Sequence, residues 1–175
     1  HFCFHTGVGY DAAVVRQVER RASLKRWLGH PLFIYAALRT WMVDYDRQHA
    51  GFEVATPGHD PVTGFFTVVL NTNPYTYLGN RPLDLSPAAS LDRGLVAITF
   101  RSMNVGAILG ALTGALRGGG VQPSDTLDVQ TDLSQLTVQA IDSDHGVPYQ
   151  VDGDYLGETR HLEIGRAHVL NSSHG

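Results

Sequence analysis

The chain has 175 residues, 43% of them apolar and 17% charged, which is the balance of one globular domain with a real core and excludes a disordered or fibrous chain. No apolar run reaches the roughly 18 residues needed to span a bilayer, since the longest, 105–116, is interrupted by three glycines. The net charge of −4 hides an asymmetry: Arg16, Arg20, Arg21, Lys25 and Arg26 cluster near one end, whereas 118–159 holds eight acids and no Lys or Arg. These read first as solvated faces, and alternatively as a basic patch for an anionic membrane and an acidic region near a metal–nucleotide site. The single cysteine, Cys3, excludes an internal disulfide and a thiolate zinc site, and makes a reducing cytoplasm the expected compartment. No basic segment followed by an apolar one opens the chain, so no signal peptide is expected.

In chain order, 1–6 alternates as a strand does, Gly7-Val8-Gly9-Tyr10 reads as a turn, and Asp11 is placed to cap a helix over about 12–27. Gly29 stops that helix, and Pro31 suits the first turn of a second one through about Tyr45. From Gly51 on, short runs with period-two alternation follow at 52–55, 65–71, 95–100, 126–130, 136–141 and 149–151. One helix over 105–117 interrupts them, capped by Asn104 and ended by three glycines. Its Gly106, Gly110 and Gly114 fall at four-residue spacing, which predicts close packing against another element. The pattern implies an α+β fold, mainly β, as an antiparallel assembly with two N-terminal helices and one inserted helix.

The chain starts without Met and inside a predicted strand, so sequence preceding His1 is expected. The stretch 165–175 has no periodicity and back-translates closely to a sequencing-adapter oligonucleotide. The expected domain is therefore 1–163, with 164–175 as an artefactual tail.

Chemistry concentrates at Gln150-Val151-Asp152-Gly153-Asp154. Two carboxylates two residues apart, separated by a glycine where the chain turns, can accept a proton from a hydroxyl and order its surroundings. Asp-Gly is equally the commonest hairpin dipeptide, so a purely structural turn is the competing reading. No two histidines lie three or four apart on a predicted helix, so metal binding through histidine is not expected. No serine carries the surroundings of an activated nucleophile, and the basic helix lacks the interleaved aromatics of a nucleic-acid binder. No G-x-x-x-x-G-K-[ST] or G-x-G-x-x-G loop is present.

The ordered set Gly7-Val8-Gly9-Tyr10-Asp11-Ala12, a strand ending in Asn71, Gly79 with Leu85-Ser86-Pro87-Ala88-Ala89 and Asp92-Arg93-Gly94-Leu95, then Gln150-Val151-Asp152-Gly153-Asp154, resembles the C-terminal half of bacterial diacylglycerol kinases and their sphingosine-kinase relatives over about 1–163. That resemblance implies a β-sandwich-like domain that binds lipid across a cleft, with a preceding domain that binds ATP and Mg²⁺ through a Gly-Gly-Asp-Gly motif. It maps Asp152 to the catalytic base, Asp154 to its second acid, and Asp11 to a contact with the lipid head. Where several relatives hold a structural Mg²⁺ with an Asp before the Gly-Leu pair, this chain has Arg93, so that metal site is expected to be lost.

The function expected on this basis is the substrate side of an ATP- and Mg²⁺-dependent lipid kinase, inactive without its nucleotide-binding domain. Its expected partners are the lipid, that missing domain and, peripherally, an anionic membrane on its cytoplasmic face, but no nucleic acid. The alternatives are a non-catalytic lipid-binding β domain and a small-molecule kinase of the NAD-kinase type.

Overall fold

The computed structural model describes residues 4–19, 50–78 and 80–166. The expected helix from Pro31, the end of the first helix beyond residue 19, Gly79 and 167–175 lie outside the described residues.

A six-stranded antiparallel sheet forms the middle layer, in the order β11-β10-β1-β4-β7-β8. Its strands are β1 (His5–Gly9), β4 (Phe66–Leu70), β7 (Leu95–Phe100), β8 (Leu127–Leu133), β10 (Val147–Val151) and β11 (Asp154–Thr159). β4 and β7 are buried at every position, because both faces of the sheet are covered. Alternate residues serve opposite layers. Val69, Leu95 and Ala97 face a four-stranded sheet, where they meet Phe52, Val54, Leu136, Val138 and Ile164. Val68, Leu70, Val96 and Ile98 face the other way, packing with Leu83, Met103, Ala115 and Leu127. Thr67 and Thr99 stand opposite each other within this buried pair of strands, joined hydroxyl to hydroxyl at 2.8 Å. Each fully buried aliphatic or aromatic side chain, such as Phe52, Leu70, Leu95 and Ile98, contributes about 1.5–3 kcal/mol of transfer free energy.

The four-stranded sheet has the order β12-β9-β2-β3, from β2 (Phe52–Ala55), β3 (Val62–Gly64), β9 (Gln135–Ala140) and β12 (His161–Gly165). A small hairpin, β5 (Thr76–Leu78) with β6 (Arg81–Leu83), lies against the helix α2 (Val105–Leu116). The other described helix is α1 (Tyr10–Glu19), which crosses β10 and β11. The molecule is α+β and mainly β, with two antiparallel sheets face to face, as the sequence pattern implies.

Several expectations need correction. The first strand begins at His5 and runs through Gly7 and Val8, so the turn shrinks to Gly9, whose φ of +83° breaks the strand directly into α1. Asp11 then falls in the first turn of α1 rather than at its cap. The boundary at 163 falls inside β12: Ile164 is buried and Arg166 N–H donates to Ser134 O at 2.9 Å. Of the three spaced glycines in α2, none meets another helix or strand across its missing side chain; Gly114 is close to the loop that follows the helix, where a Cβ would lie 2.7 Å from Gly120 O. Gly110 has open space.

Candidate active site at the β10–β11 hairpin

Asp152 and Gly153 are the two central residues of the hairpin joining β10 to β11, with Val151 opposite Asp154. Their φ values of +51° and +91° are those of a type I′ turn, the two-residue loop whose twist matches paired strands and which favours Asp or Asn followed by Gly. The backbone therefore uses this dipeptide for a local reason. Gln150, fully buried, closes the turn by accepting the Gly153 N–H on Oε1 at 2.8 Å.

The Asp152 side chain reaches beyond its own hairpin. Its Oδ1 accepts the backbone N–H of Phe4 at 2.8 Å and of His5 at 3.0 Å, while its own N–H donates to His5 O at 2.9 Å. One half-buried carboxylate thus ties the end of β10 to the beginning of β1. The end of β4 joins the same edge, because Asn71 N–H donates to Phe4 O at 2.9 Å. Next to it come the cis Asn73-Pro74 bond and Tyr75, whose ring lies 4.5 Å from that of His5. Asp154 is the first residue of β11 and is exposed. The structure therefore gathers Asp152, Asp154, Asn71 and His5 at one end of the six-stranded sheet.

Asp11 is not brought there. The first turn of α1 follows Gly9, at the opposite end of β1, and the four steps from His5 to Gly9 cover about 14 Å at roughly 3.4 Å per residue. The Asp11 side chain lies outside the described residues. Arg16, the described member of the expected basic patch, is turned to β11: Nη1 meets Glu158 Oε1 at 3.1 Å, and its guanidinium lies 5.8 Å from the centre of the Tyr155 ring.

No group of three His, Cys, Asp or Glu side chains able to hold a metal occurs among the described residues. At the position expected to have lost Mg²⁺, Gly94 N–H donates to Asp132 Oδ1 at 2.9 Å and Arg93 is exposed. A cavity of about 250 Å³ beside α2 and one of about 470 Å³ between His59-Asp60 and Asp128–Thr131 are lined by neither Asp152 nor Asp154. Asp142 is held below its ordinary pKa by the Asp144 N–H and by His145, and it precedes β10, at the far end of that strand from Asp152. What this end of the sheet offers is a carboxylate anchored on a rigid turn.

Phe4 and His5, as the donors that orient Asp152, were not expected from sequence. Nothing local marks them, because each lies almost 150 residues away along the chain. Gln150 could have been suspected as a polar residue in an otherwise apolar strand just before a turn.

No family model matches this chain, and no curated protein matches it. Among solved structures, two described as a "putative diacylglycerol kinase" from Bacillus anthracis str. Sterne share its fold, with TM-scores of 0.55 and 0.57 at 16% identity, over 94% of this chain. The match covers 47% and 51% of those two chains, so this chain spans about half their length. The fold of this protein is that of one half of these kinase-described structures.

Proposed function

We propose that this chain is the substrate side of a lipid kinase that transfers the γ-phosphate of ATP to the hydroxyl of diacylglycerol or a related lipid. The observation that carries the reading is the anchoring of Asp152: a carboxylate fixed by two backbone donors at the end of a buried sheet, on the fold seen in the diacylglycerol-kinase-described structures. Phosphoryl transfer asks mainly for positioning and charge stabilisation, and a carboxylate near the attacking oxygen is the contribution that this half can make. Asp152 takes the proton of the lipid hydroxyl as its oxygen bonds to the γ-phosphorus and the bond from that phosphorus to the β–γ bridging oxygen breaks, releasing ADP, and exposed Asp154 keeps the entrance polar. ATP supplies the phosphoryl group, and it is bound with its Mg²⁺ by residues outside those described here. A contact between Asp11 and the lipid requires a ligand that extends along β1 from one sheet end to the other.

The hairpin itself favours a second reading. Asp152-Gly153 satisfies the turn and ties β10 to β1, which a non-catalytic lipid-binding domain would also need. The decisive assay offers radiolabelled ATP to the full-length protein with diacylglycerol or NAD as acceptor. Label in the lipid is expected. Label in NAD alone would move the protein to a soluble-nucleotide kinase, and label in neither would favour the non-catalytic reading.

A further inference from the structure

Helix α2 carries no charged side chain over its twelve residues, yet one side of it is uncovered. Ala115 is buried, and Ile108 and Ala111 pack toward the core. Val105, Leu109, Leu112 and Leu116 are instead 48%, 57%, 36% and 38% exposed. At about 100° per residue these four fall within roughly 60° of the helix circumference, so they form one continuous apolar stripe. The cavity of about 250 Å³ lined by Ala107, Gly110, Gly114 and Val121 lies on the opposite side of the helix from this stripe.

The ends of the stripe are cationic. Arg101 lies just ahead of the helix and Arg117 caps it, both exposed and neither in an ion pair among the described residues. Arg81, on the adjoining β6, is exposed too. Two acids approach the region: half-buried Asp84, whose N–H donates to Ala115 O, and exposed Asp125, beside the Thr126 that accepts the Arg101 N–H. A second copy laid antiparallel on the same stripe would set Arg101 against Arg117, cation against cation. An anionic lipid surface presents phosphates to both arginines and acyl chains to the leucines between them. Twelve helical residues span only about 18 Å, too short to cross a bilayer and suited to lying in its interface.

We infer that α2 is a membrane-docking helix, which seats Val105, Leu109, Leu112 and Leu116 among the acyl chains of an anionic bilayer while Arg101 and Arg117 hold the headgroup phosphates. This inference rests on the helix and its flanks, and it stands whether or not the protein is a kinase.

Sedimentation of the whole chain with vesicles of phosphatidylcholine and an equal part of phosphatidylglycerol, against phosphatidylcholine alone, tests it. The anionic vesicles should bind more tightly, with the difference fading as salt is raised. Leu109→Gln with Leu112→Gln should weaken that binding at least about tenfold, and Arg101→Gln with Arg117→Gln should remove the preference for phosphatidylglycerol. Both pairs are on the surface, so unchanged thermal unfolding certifies that the variants are folded. Failure of the native chain to bind either vesicle, or undiminished binding by the folded leucine variant, would overturn the inference. So would a leucine variant that turns a dimer into a monomer while leaving vesicle binding as it was, since the stripe would then belong to a second copy.

Discussion

Asp152 meets two demands at once. The turn needs a residue that tolerates a φ of +51°, which costs most L-residues about 1 kcal/mol or more but is relieved for Asp and Asn by their short polar side chains. The start of β1 needs an acceptor for the Phe4 and His5 N–H groups. Asparagine satisfies both through its Oδ1, yet its amide cannot act as a base near neutral pH. Substitution by Asn therefore separates a chemical role from a structural one, whereas Ala would remove the acceptor and strain the turn together. The hairpin and its two carboxylates were legible in the dipeptide. The anchoring of Asp152 was not, because its partners are remote in sequence and are backbone groups, which carry no residue-specific signal.

At the scale of elements, the strands of the inter-sheet core were the most legible: 52–55, half-buried in alternation, and 95–100, buried throughout, read from sequence at the boundaries that β2 and β7 have. β11 was missed because it is an edge strand, only half-buried and bulged near Gly157 against Tyr149, so its alternation is weak. The short β3, β5 and β6 give too few residues for a period. Helix α2 was found, but its four-residue glycine spacing overstated the packing. Gly114→Ala forces a methyl against Gly120 O and should cost about 1–3 kcal/mol in urea unfolding. Gly110→Ala, facing open space, should be neutral or stabilise by about 0.5–1 kcal/mol. Equal costs at both positions would mean that α2 packs differently from the arrangement described.

For the whole molecule, the layered arrangement, with the six-stranded sheet covered on both faces, explains why the site lies where it does. β1 and β4 are central and buried, so the rim formed by Phe4, Asn71 and Asp152 has a stiff support, while β10 and β11 carry the hairpin at one side of the sheet. The inter-sheet core also reaches past the expected boundary at 163, since Ile164 inserts between the sheets because β12 pairs in register with β9. Ile164→Ala should destabilise the fold by about 2–4 kcal/mol by chemical denaturation; a change under about 0.5 kcal/mol would place the strand outside the cooperative core.

In the proposed reaction Asp152 is the group that takes the lipid's proton. Turnover of diacylglycerol by the full-length protein carrying Asp152→Asn, measured beside its unfolding free energy, tests this most directly. A loss of roughly 10³-fold in kcat with stability unchanged within about 0.5 kcal/mol is the expected result. A near-normal rate in the equally stable variant would contradict it and leave Asp152 as the turn residue that ties β10 to β1.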